Sequence, residues 1–268
     1  IVRMAVANRQ TSQPHQATSE QREREGLPPA TLQKLSAMRC NLSQAENETY
    51  DDMYLVRFLR ARKFNVMLAV ELFFNYEKLG SSLGYDLRGE IPYLNVRRTL
   101  SKGIFYVTGA VDSKGAAVVF IKAANFRPKE TAWTEVVTIF LYFMDLINKS
   151  DRVARKGVTL VVDMKHYTKS NFSLDSTRRF FSFLQKSYPL QIRSFIVVDS
   201  PIMLLKQWFV IRPLVKSDLG KVMHRRYSQA QLRKEMNSSY IPHFLGGKMD
   251  CADTLALVEN APMLWLRQ

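Results

Sequence analysis

The protein has 268 residues, of which 46% are hydrophobic and 11% aromatic, and 39 Lys and Arg against 24 Asp and Glu give a formal net charge of +15 at pH 7. This much apolar material excludes a chain that is disordered throughout. The two cysteines, Cys40 and Cys251, are too few for a disulfide framework or a four-thiolate metal site and favour a reducing, intracellular compartment.

Positive charge is concentrated in the second part of the chain. Residues 1–90 hold 12 basic and 11 acidic side chains, whereas residues 91–268 hold 27 and 13, so the two parts carry +1 and +14. Such an asymmetry favours an anionic partner, either a nucleic acid or an acidic membrane surface. It also fits a basic protein whose charge serves only solubility.

Composition divides the chain into four segments. Residues 1–26, rich in Gln, Ser and Arg, are predicted to be a disordered tail. Residues 27–90 are predicted to form a small helical module, residues 91–250 an α/β domain, and residues 251–268 a C-terminal extension.

The helical module shows periodic apolar residues and recognisable helix ends. Leu55, Phe58 and Leu59 recur at helical spacing directly after two aspartates, which favour a helix N-terminus. Asn65 is predicted to cap a second helix that ends near Gly80.

The α/β segment alternates short apolar runs with longer amphipathic ones. Because its strands are apolar on both faces, we expect a largely parallel sheet covered by helices. A turn is predicted at residues 112–115, where Asp and Gly lie together. The predicted strands are residues 104–108, 116–121, 158–162 and 195–198, and the predicted helices are residues 128–149 and 174–187.

Signatures of enzymes are missing from the sequence. There is no Gly-x-Gly-x-x-Gly turn, Walker-type phosphate loop or Gly-x-Ser-x-Gly elbow, and residues 246–248 are predicted to be a turn. Asp163 and His166 supply two parts of an acid–base group, but no nucleophile accompanies them. Asp163 is therefore expected to anchor a strand end, and we predict no enzymatic activity, no cofactor and no metal site.

No transmembrane or secretory segment is predicted. The most apolar stretch, residues 136–147, has about half the length of a spanning helix and contains Asp145. The first residues lack the apolar core of a signal peptide. We therefore expect a soluble, cytoplasmic protein.

Two helical segments carry features that admit a functional interpretation. Aromatic residues at helical spacing in residues 133–144 and 180–188 indicate either core packing or the lining of an apolar cavity. Residues 200–221 contain a stretch bounded by Pro201 and Pro213 that mixes aromatic, aliphatic and basic residues. This composition is typical of a helix lying on a membrane surface and also of an ordinary amphipathic helix covering a sheet.

Five motifs occur in an order and spacing that resemble the CRAL-TRIO lipid-binding domain with its N-terminal helical extension. The resemblance extends from about residue 50 to residue 247 and is closest to the tocopherol-transfer and retinaldehyde-binding branch of the family. It implies an α/β pocket that encloses one hydrophobic molecule and is closed by a mobile helix at about residues 201–221. The motifs are RFLRARKF at 57–64, GVTLVVD at 157–163, SYPLQIR at 187–193, RPL at 212–214 and YIPHFLGG at 240–247.

The resemblance assigns three sets of site residues. The expected ligand pocket consists of Phe140, Met144, Val158, Val162, Phe180, Phe183, Leu184 and Tyr188. The expected gate and membrane-insertion residues are Ile202, Leu205, Trp208 and Phe209. The expected phosphoinositide and membrane contacts are Arg62, Arg193, Lys216, Lys221, Arg225 and Arg226.

Departures from the family pattern affect the ligand class. Gln191, Asp218 and Val222 stand where the tocopherol-transfer branch has basic residues, so the phosphoinositide site is incomplete or shifted. Leu190 stands where the phospholipid-transfer branch has an acid that helps to hold inositol. The resemblance therefore favours a compact isoprenoid over a phospholipid.

The expected function is cytosolic binding and intermembrane transfer of a hydrophobic lipid, such as a tocopherol, a retinoid or a similar isoprenoid. The lipid is expected to be released when the gate opens at anionic, phosphoinositide-containing membranes. The expected partners are this ligand and the membrane surface, which the protein binds peripherally as a monomer. Three alternatives stay open: a phospholipid-binding or phosphatidylinositol-binding regulatory sensor with the same fold, a nucleic-acid binder, and a small hydrolase. No recognised groove-reading or RNA-stacking motif supports the second.

Overall fold

The computed structural model describes residues 26–215, 217–222, 225–251 and 258. Residues 1–25 of the predicted tail lie outside the described residues, as does the predicted C-terminal extension apart from Cys251 and Val258. Val258 is fully buried in the same core as the residues described below.

The N-terminal module is helical, as predicted. Asp51 accepts a hydrogen bond from the Tyr54 N–H at 2.6 Å, and Asn65 accepts one from the Leu68 N–H at 3.1 Å, so both act as N-caps. The module's helices in the described residues are α1 (Pro29–Arg39), α2 (Gln44–Thr49), α3 (Asp52–Ala61) and α4 (Val66–Leu83), and α5 (Tyr93–Ser101) follows them at the start of the α/β segment.

The predicted end of α4 at Gly80 is wrong. The helix continues to Leu83 and is ended by Gly84, whose φ of 72° lies in the left-handed region that favours glycine. Gly80 has another role, because a Cβ atom there would lie 2.8 Å from Leu87 Cγ. It permits a close approach of the following loop rather than a change of chain direction.

The sheet is largely parallel, as predicted. In the described residues it has the order β1-β2-β3-β4-β5, in which β1 is antiparallel to β2 and the other neighbours are parallel. The N-terminal strand pairs over only two residues and is shorter than expected. The strands are β1 (Phe105–Tyr106), β2 (Ala117–Lys122), β3 (Val158–Asp163), β4 (Ile192–Val198) and β5 (Arg225–Tyr227).

The helices of the α/β segment cover the sheet. α6 begins later than the predicted residue 128, because the Glu130 and Thr131 N–H groups donate to the Arg127 carbonyl in a turn. α9 ends at Ile211 and passes into a 3₁₀ helix, Arg212–Leu214, as Pro213 predicts. The helices are α6 (Trp133–Asn148), α7 (Asp151–Ala154), α8 (Leu174–Lys186), α9 (Ile202–Ile211), α10 (Ser217–Val222) and α11 (Gln229–Glu235).

Alternate residues of the strands belong to two separate cores. On one side, here called the front face, Val119, Ile121, Leu160 and Val162 join a core that continues into the N-terminal module. The other side, here called the back face, packs against residues 232–245. Its core contains Val118, Phe120, Val161, Ile196 and Val198 of the strands together with Leu232, Ile241 and Leu245.

Candidate functional site

A chamber of about 280 Å³ lies against the front face of the sheet. Its floor is a row of side chains that crosses the sheet, because Phe105 pairs with Ile121, Ile121 with Val162, and Val162 with Val197. All four residues line the chamber. The row lies near the carboxyl ends of the parallel strands, a common place for binding sites in α/β proteins.

Helices and the loops between them form the walls of the chamber. α6 and α8 contribute residues to the walls, and α9 contributes Trp208 and Ile211. The remaining lining residues are Ile104, Ala123, Phe126, Thr131, Trp133, Val136, Met164, Tyr167, Asn171, Ser176, Thr177, Phe180, Phe181 and Phe195.

The chamber is uncharged along its described lining, where no Asp, Glu, Lys, Arg or His occurs. Its one amide is already used: Asn171 donates to the carbonyls of Ala124 and Phe126, both at 2.9 Å, and accepts from the Thr168 N–H at 2.8 Å. A charged group placed inside would lose its hydration without gaining a partner of opposite charge. The arrangement therefore suits a hydrophobic molecule and opposes a buried phosphate.

α9 has one side toward the chamber and another toward solvent. Trp208 and Ile211 line the chamber, whereas Ile202 and Phe209 are 82% and 78% exposed. Gln207 makes a side-chain hydrogen bond with Tyr167 in the loop after β3. Burial raises the pKa of the Tyr167 hydroxyl to about 12, so the hydroxyl is protonated at neutral pH.

The structure brings two of the eight predicted pocket residues, Val162 and Phe180, to the chamber. Phe140 shows why the others do not line it: its ring centroid lies 5.3 to 6.1 Å from those of Phe105, Phe180, Phe183 and Tyr188, so aromatic rings fill the space beside it. The six residues buried beyond the lining are Phe140, Met144, Val158, Phe183, Leu184 and Tyr188.

Sequence reasoning missed most of the floor. The signal that identifies it is the period of two along the strands combined with parallel register, which places Ile121 and Val197 beside Val162. Phe195 lines the chamber one step further along β4 on the same face. Tyr167 lies in the turn after β3 and Asn171 ends a 3₁₀ helix, Lys169–Asn171; both elements are too short for a periodic pattern to point to a site.

The structure places Arg62 and Arg193 in different surroundings. Arg62 donates to the Gln185 carbonyl at 2.7 Å, and burial lowers the pKa of its guanidinium. The Nε of Arg193 is buried without a hydrogen-bond partner in a recess of about 10 Å³ that is also lined by Asp112 and Glu235. That volume admits about one water molecule. Asp112 and Glu235 balance the positive charges of Arg193 and Lys114 around this recess, which has no room for a phosphate group.

The other predicted membrane residues are only partly described. The side chain of Lys221 is exposed at the end of α10. Arg225 and Arg226 form part of β5, but their side chains lie outside the described structure, as does that of Leu205 in α9. Lys216 lies outside the described residues altogether.

Asp163 ends β3 and is almost completely buried. Its carboxylate accepts a hydrogen bond from the Lys165 N–H at 2.9 Å, which is the strand-end anchor expected from the sequence. Burial raises its pKa, and the nearby Asp199 adds to this effect. Within the described part of the chain, no serine, threonine or cysteine hydrogen-bonds to this carboxylate.

Two further properties bear on the site. Among the described residues, no helix is both long and apolar enough to cross a lipid bilayer. The same part of the chain contains no cluster of three or more His, Cys, Asp and Glu side chains that could hold a metal ion.

Comparison with protein families gives two matches. The family described as "CRAL/TRIO domain" matches residues 100–247, and "CRAL/TRIO, N-terminal domain" matches residues 22–74. The first covers the strands and helices that surround the chamber, and the second covers the first helices of the N-terminal module.

Similar proteins include a CRAL-TRIO domain-containing protein of Schizosaccharomyces pombe, 30% identical over 79% of this chain and 61% of that protein. The human alpha-tocopherol transfer protein-like is 24% identical over 76% of this chain and 60% of its own length. Human tyrosine-protein phosphatase non-receptor type 9 is 26% identical over 74% of this chain but 33% of its own length. The chain thus spans between a third and about three fifths of these relatives.

The fold is similar to that in the crystal structure of Sfh5. The two share 13% sequence identity with a TM-score of 0.52, over 78% of this chain and 84% of that one. At this identity the likeness concerns the fold alone.

Proposed function

The chain belongs to the CRAL/TRIO domain family of lipid-binding and lipid-transfer proteins, and from that premise we propose that it binds one compact hydrophobic lipid, such as a tocopherol, a retinoid or a similar isoprenoid, and transfers it between membranes. The proposal places the protein in the cytoplasm, peripherally bound to membranes during exchange. It assigns no catalytic step and no cofactor.

The uncharged chamber carries this proposal. An apolar ligand inside it would gain about 25 cal/mol for each Å² of apolar surface removed from water. Since the described lining offers no charged side chain, ligands with a charged headgroup would have to keep that group outside.

The size of the chamber narrows the ligand class. A volume of about 280 Å³ lies just below the usual range for ligand pockets, roughly 300–1,000 Å³. A single isoprenoid chain with a small ring fits this volume better than a lipid with two acyl chains. The human relative named alpha-tocopherol transfer protein-like supports the same ligand class.

Release requires a trigger, because the burial energy that holds the ligand also slows its escape into water. We assign this role to α9, whose inner residues touch the chamber and whose outer residues Ile202 and Phe209 are exposed. An anionic membrane would attract the basic part of the chain, and these outer residues would insert. The open state is favoured because it alone gains the membrane contacts.

A transfer assay between vesicles tests this role of α9. The double variant Ile202→Ser/Phe209→Ser should retain its bound lipid but move it at least about tenfold more slowly, since two side chains no longer insert. Leu94→Ser is the matched control, because Leu94 is 76% exposed on α5. An unchanged transfer rate in the double variant would contradict the role of α9 as a gate. A wild type that binds lipid stably but transfers none would favour the alternative of a lipid sensor.

A further inference from the structure

A second group of exposed apolar side chains lies in the N-terminal module. Phe64, Met67, Leu68 and Phe74 are 37%, 66%, 47% and 43% exposed, and together they are called the α3–α4 patch. Phe64 lies in the turn between α3 and α4, and the other three lie on α4. Met67 and Phe74 are seven residues apart, which is two helical turns, so they lie along one side of α4.

The turn that begins the patch has an unusual backbone. Lys63 and Phe64 have φ values of 51° and 62°, in the left-handed region that glycine normally occupies after a helix. The Phe64 N–H donates to the Leu59 carbonyl at 2.7 Å and closes α3. A glycine would satisfy this geometry without strain, yet the chain places a large aromatic ring there and leaves it partly in solvent.

Exposed basic residues lie near the turn that begins the patch. Lys63 directly precedes Phe64 and is exposed, whereas the Arg62 guanidinium is buried against the Gln185 carbonyl, and the acidic residue of the adjoining helical turn is Glu71. Lys186 at the end of α8 and Arg212 after α9 are exposed as well. Apolar side chains bordered by cations are the combination that binds anionic lipid surfaces.

Two consecutive hydrogen bonds connect the patch to the end of α9. Arg62 donates to the Gln185 carbonyl at 2.7 Å, and Gln185 Nε2 donates to the Leu214 carbonyl at 3.1 Å. Leu214 belongs to the 3₁₀ helix that follows α9. The turn of the patch and the end of the proposed gate therefore meet at the end of α8.

From these observations we infer that the α3–α4 patch is a second membrane-docking site, which binds the surface of an anionic lipid bilayer and holds the protein there while α9 opens. The inference rests on the proposed function in taking a membrane as the partner. Docking through the patch requires neither a bound lipid nor an open gate, so the two can fail separately.

Vesicle co-sedimentation of the full chain tests the inference, with phosphatidylcholine vesicles that contain or lack phosphatidylserine. The double variant Met67→Ser/Leu68→Ser should bind the anionic vesicles at least about tenfold more weakly than the wild type, because two apolar side chains no longer enter the interface. Leu94→Ser is the control and should bind like the wild type. Vesicles without phosphatidylserine should bind the wild type weakly.

A second variant separates membrane binding from folding. Phe64→Gly should change the free energy of unfolding by no more than about 1 kcal/mol, because relief of the left-handed strain offsets the lost burial of the ring, and it should still weaken binding to anionic vesicles several-fold. A purely structural patch would not show weakened vesicle binding at unchanged stability. Wild-type vesicle binding by both variants would overturn the inference.

Two further measurements distinguish the remaining outcomes. Native mass spectrometry should show the same lipid occupancy in Met67→Ser/Leu68→Ser as in the wild type, so a loss of lipid would point to a damaged fold and contradict the inference. Sedimentation velocity should show the same oligomeric state for both. A change in that state would assign the patch to self-association instead.

If the wild type carried no lipid but bound anionic vesicles through the patch, the docking site would stand and the proposed function would fail.

Discussion

The two faces of the sheet are built from neighbouring residues of the same strands, yet only the front face borders the chamber. Ile121 and Val162 on the front face are each 9% exposed and line the chamber, whereas Phe120 and Val161, one residue earlier, are 0% exposed. Hydrophobicity does not distinguish these pairs. The difference comes from the segments that cover each face.

The back face is closed by a short local segment that packs tightly. Ile241 and Leu245 are fully buried against it, and a Cβ atom on Gly247 would lie 2.0 Å from the Ile241 carbonyl oxygen. The front face is covered instead by α6, α8 and α9, and the space between them is incompletely filled. Burial alone therefore does not identify a binding site; incomplete packing between separate covering elements does.

Matched tryptophan substitutions on the two faces should give the largest difference. Val162→Trp should fill the chamber and abolish lipid loading while the protein stays folded, because the ring enters existing space. Val161→Trp has no such space and should destabilise the fold by at least about 1–3 kcal/mol. Native mass spectrometry and denaturant unfolding measure the two effects. Normal lipid loading of Val162→Trp would show that the ligand binds elsewhere.

Matched deletions should sharpen the contrast in stability. Phe120→Ala should lower the free energy of unfolding by about 3–5 kcal/mol, because it leaves a cavity in a closed core. Ile121→Ala should cost about 2 kcal/mol, at the lower end for its type, because its side chain already borders open space. Urea unfolding measures both values. An equal loss of unfolding free energy at the two positions would contradict the proposed difference in packing between the two faces.

α6, one of the helices that cover the front face, carries a carboxyl group, Asp145, that makes the stability pH-dependent. Burial raises the pKa of the Asp145 carboxyl from 3.8 to about 6, and the nearby Glu90 raises it as well. The hydrogen bond from the Ile91 N–H at 2.8 Å and the positive charges of Arg57 and Lys149 act in the opposite direction. The folded state therefore binds the proton more tightly than the unfolded state. The stabilisation from this group is complete below about pH 3.8 and is lost as the pH rises through about 6.

Asp145→Asn should remove this pH dependence. Between pH 5 and pH 8 the wild type should lose about 1.4 kcal/mol relative to the variant, because a pKa difference of one corresponds to about 1.4 kcal/mol and pH 5 lies about one unit below the folded-state pKa. Unfolding of both proteins at a series of pH values measures the difference. A constant difference between them across this range would show that Asp145 titrates normally in the fold.

The smallest expected effect concerns the contact between α9 and the loop after β3. Tyr167→Phe removes the hydrogen bond to Gln207, worth about 1 kcal/mol, and should speed lipid release about fivefold with little change in occupancy. Tyr106→Phe is the control, because its hydroxyl donates to the Gly103 carbonyl at 2.9 Å and the residue belongs to the back-face core. Release of a fluorescent lipid measures both. Equal release rates in the two variants would show that this hydrogen bond does not hold α9.

Much of the fold is predictable from local sequence. Asp51, Asn65 and Pro213 mark helix ends through interactions with their immediate neighbours, and the parallel sheet follows from apolar runs that alternate with helices. The end of α4 was misplaced because Gly80 is required by contact with Leu87, a residue beyond the helix. Such a contact leaves no periodic signal.

The candidate site is less predictable than the fold. Val162 and Phe180 line the chamber, whereas Phe140 and Tyr188 are also buried and aromatic but pack against each other and against further rings. Whether an aromatic side chain borders space or fills it depends on rotamers and on the separation of helices, which residue identities do not fix. The row of residues on the chamber floor could be predicted from the sequence, because strand register alone aligns Ile121, Val162 and Val197.

Native mass spectrometry of the purified full chain, with extraction and identification of whatever dissociates, tests the central claim most directly. The account predicts about one equivalent of a single uncharged, compact lipid per chain, lost in Val162→Trp and retained in Phe64→Gly. A chain that carries no lipid and takes up neither tocopherol nor a retinoid would contradict it.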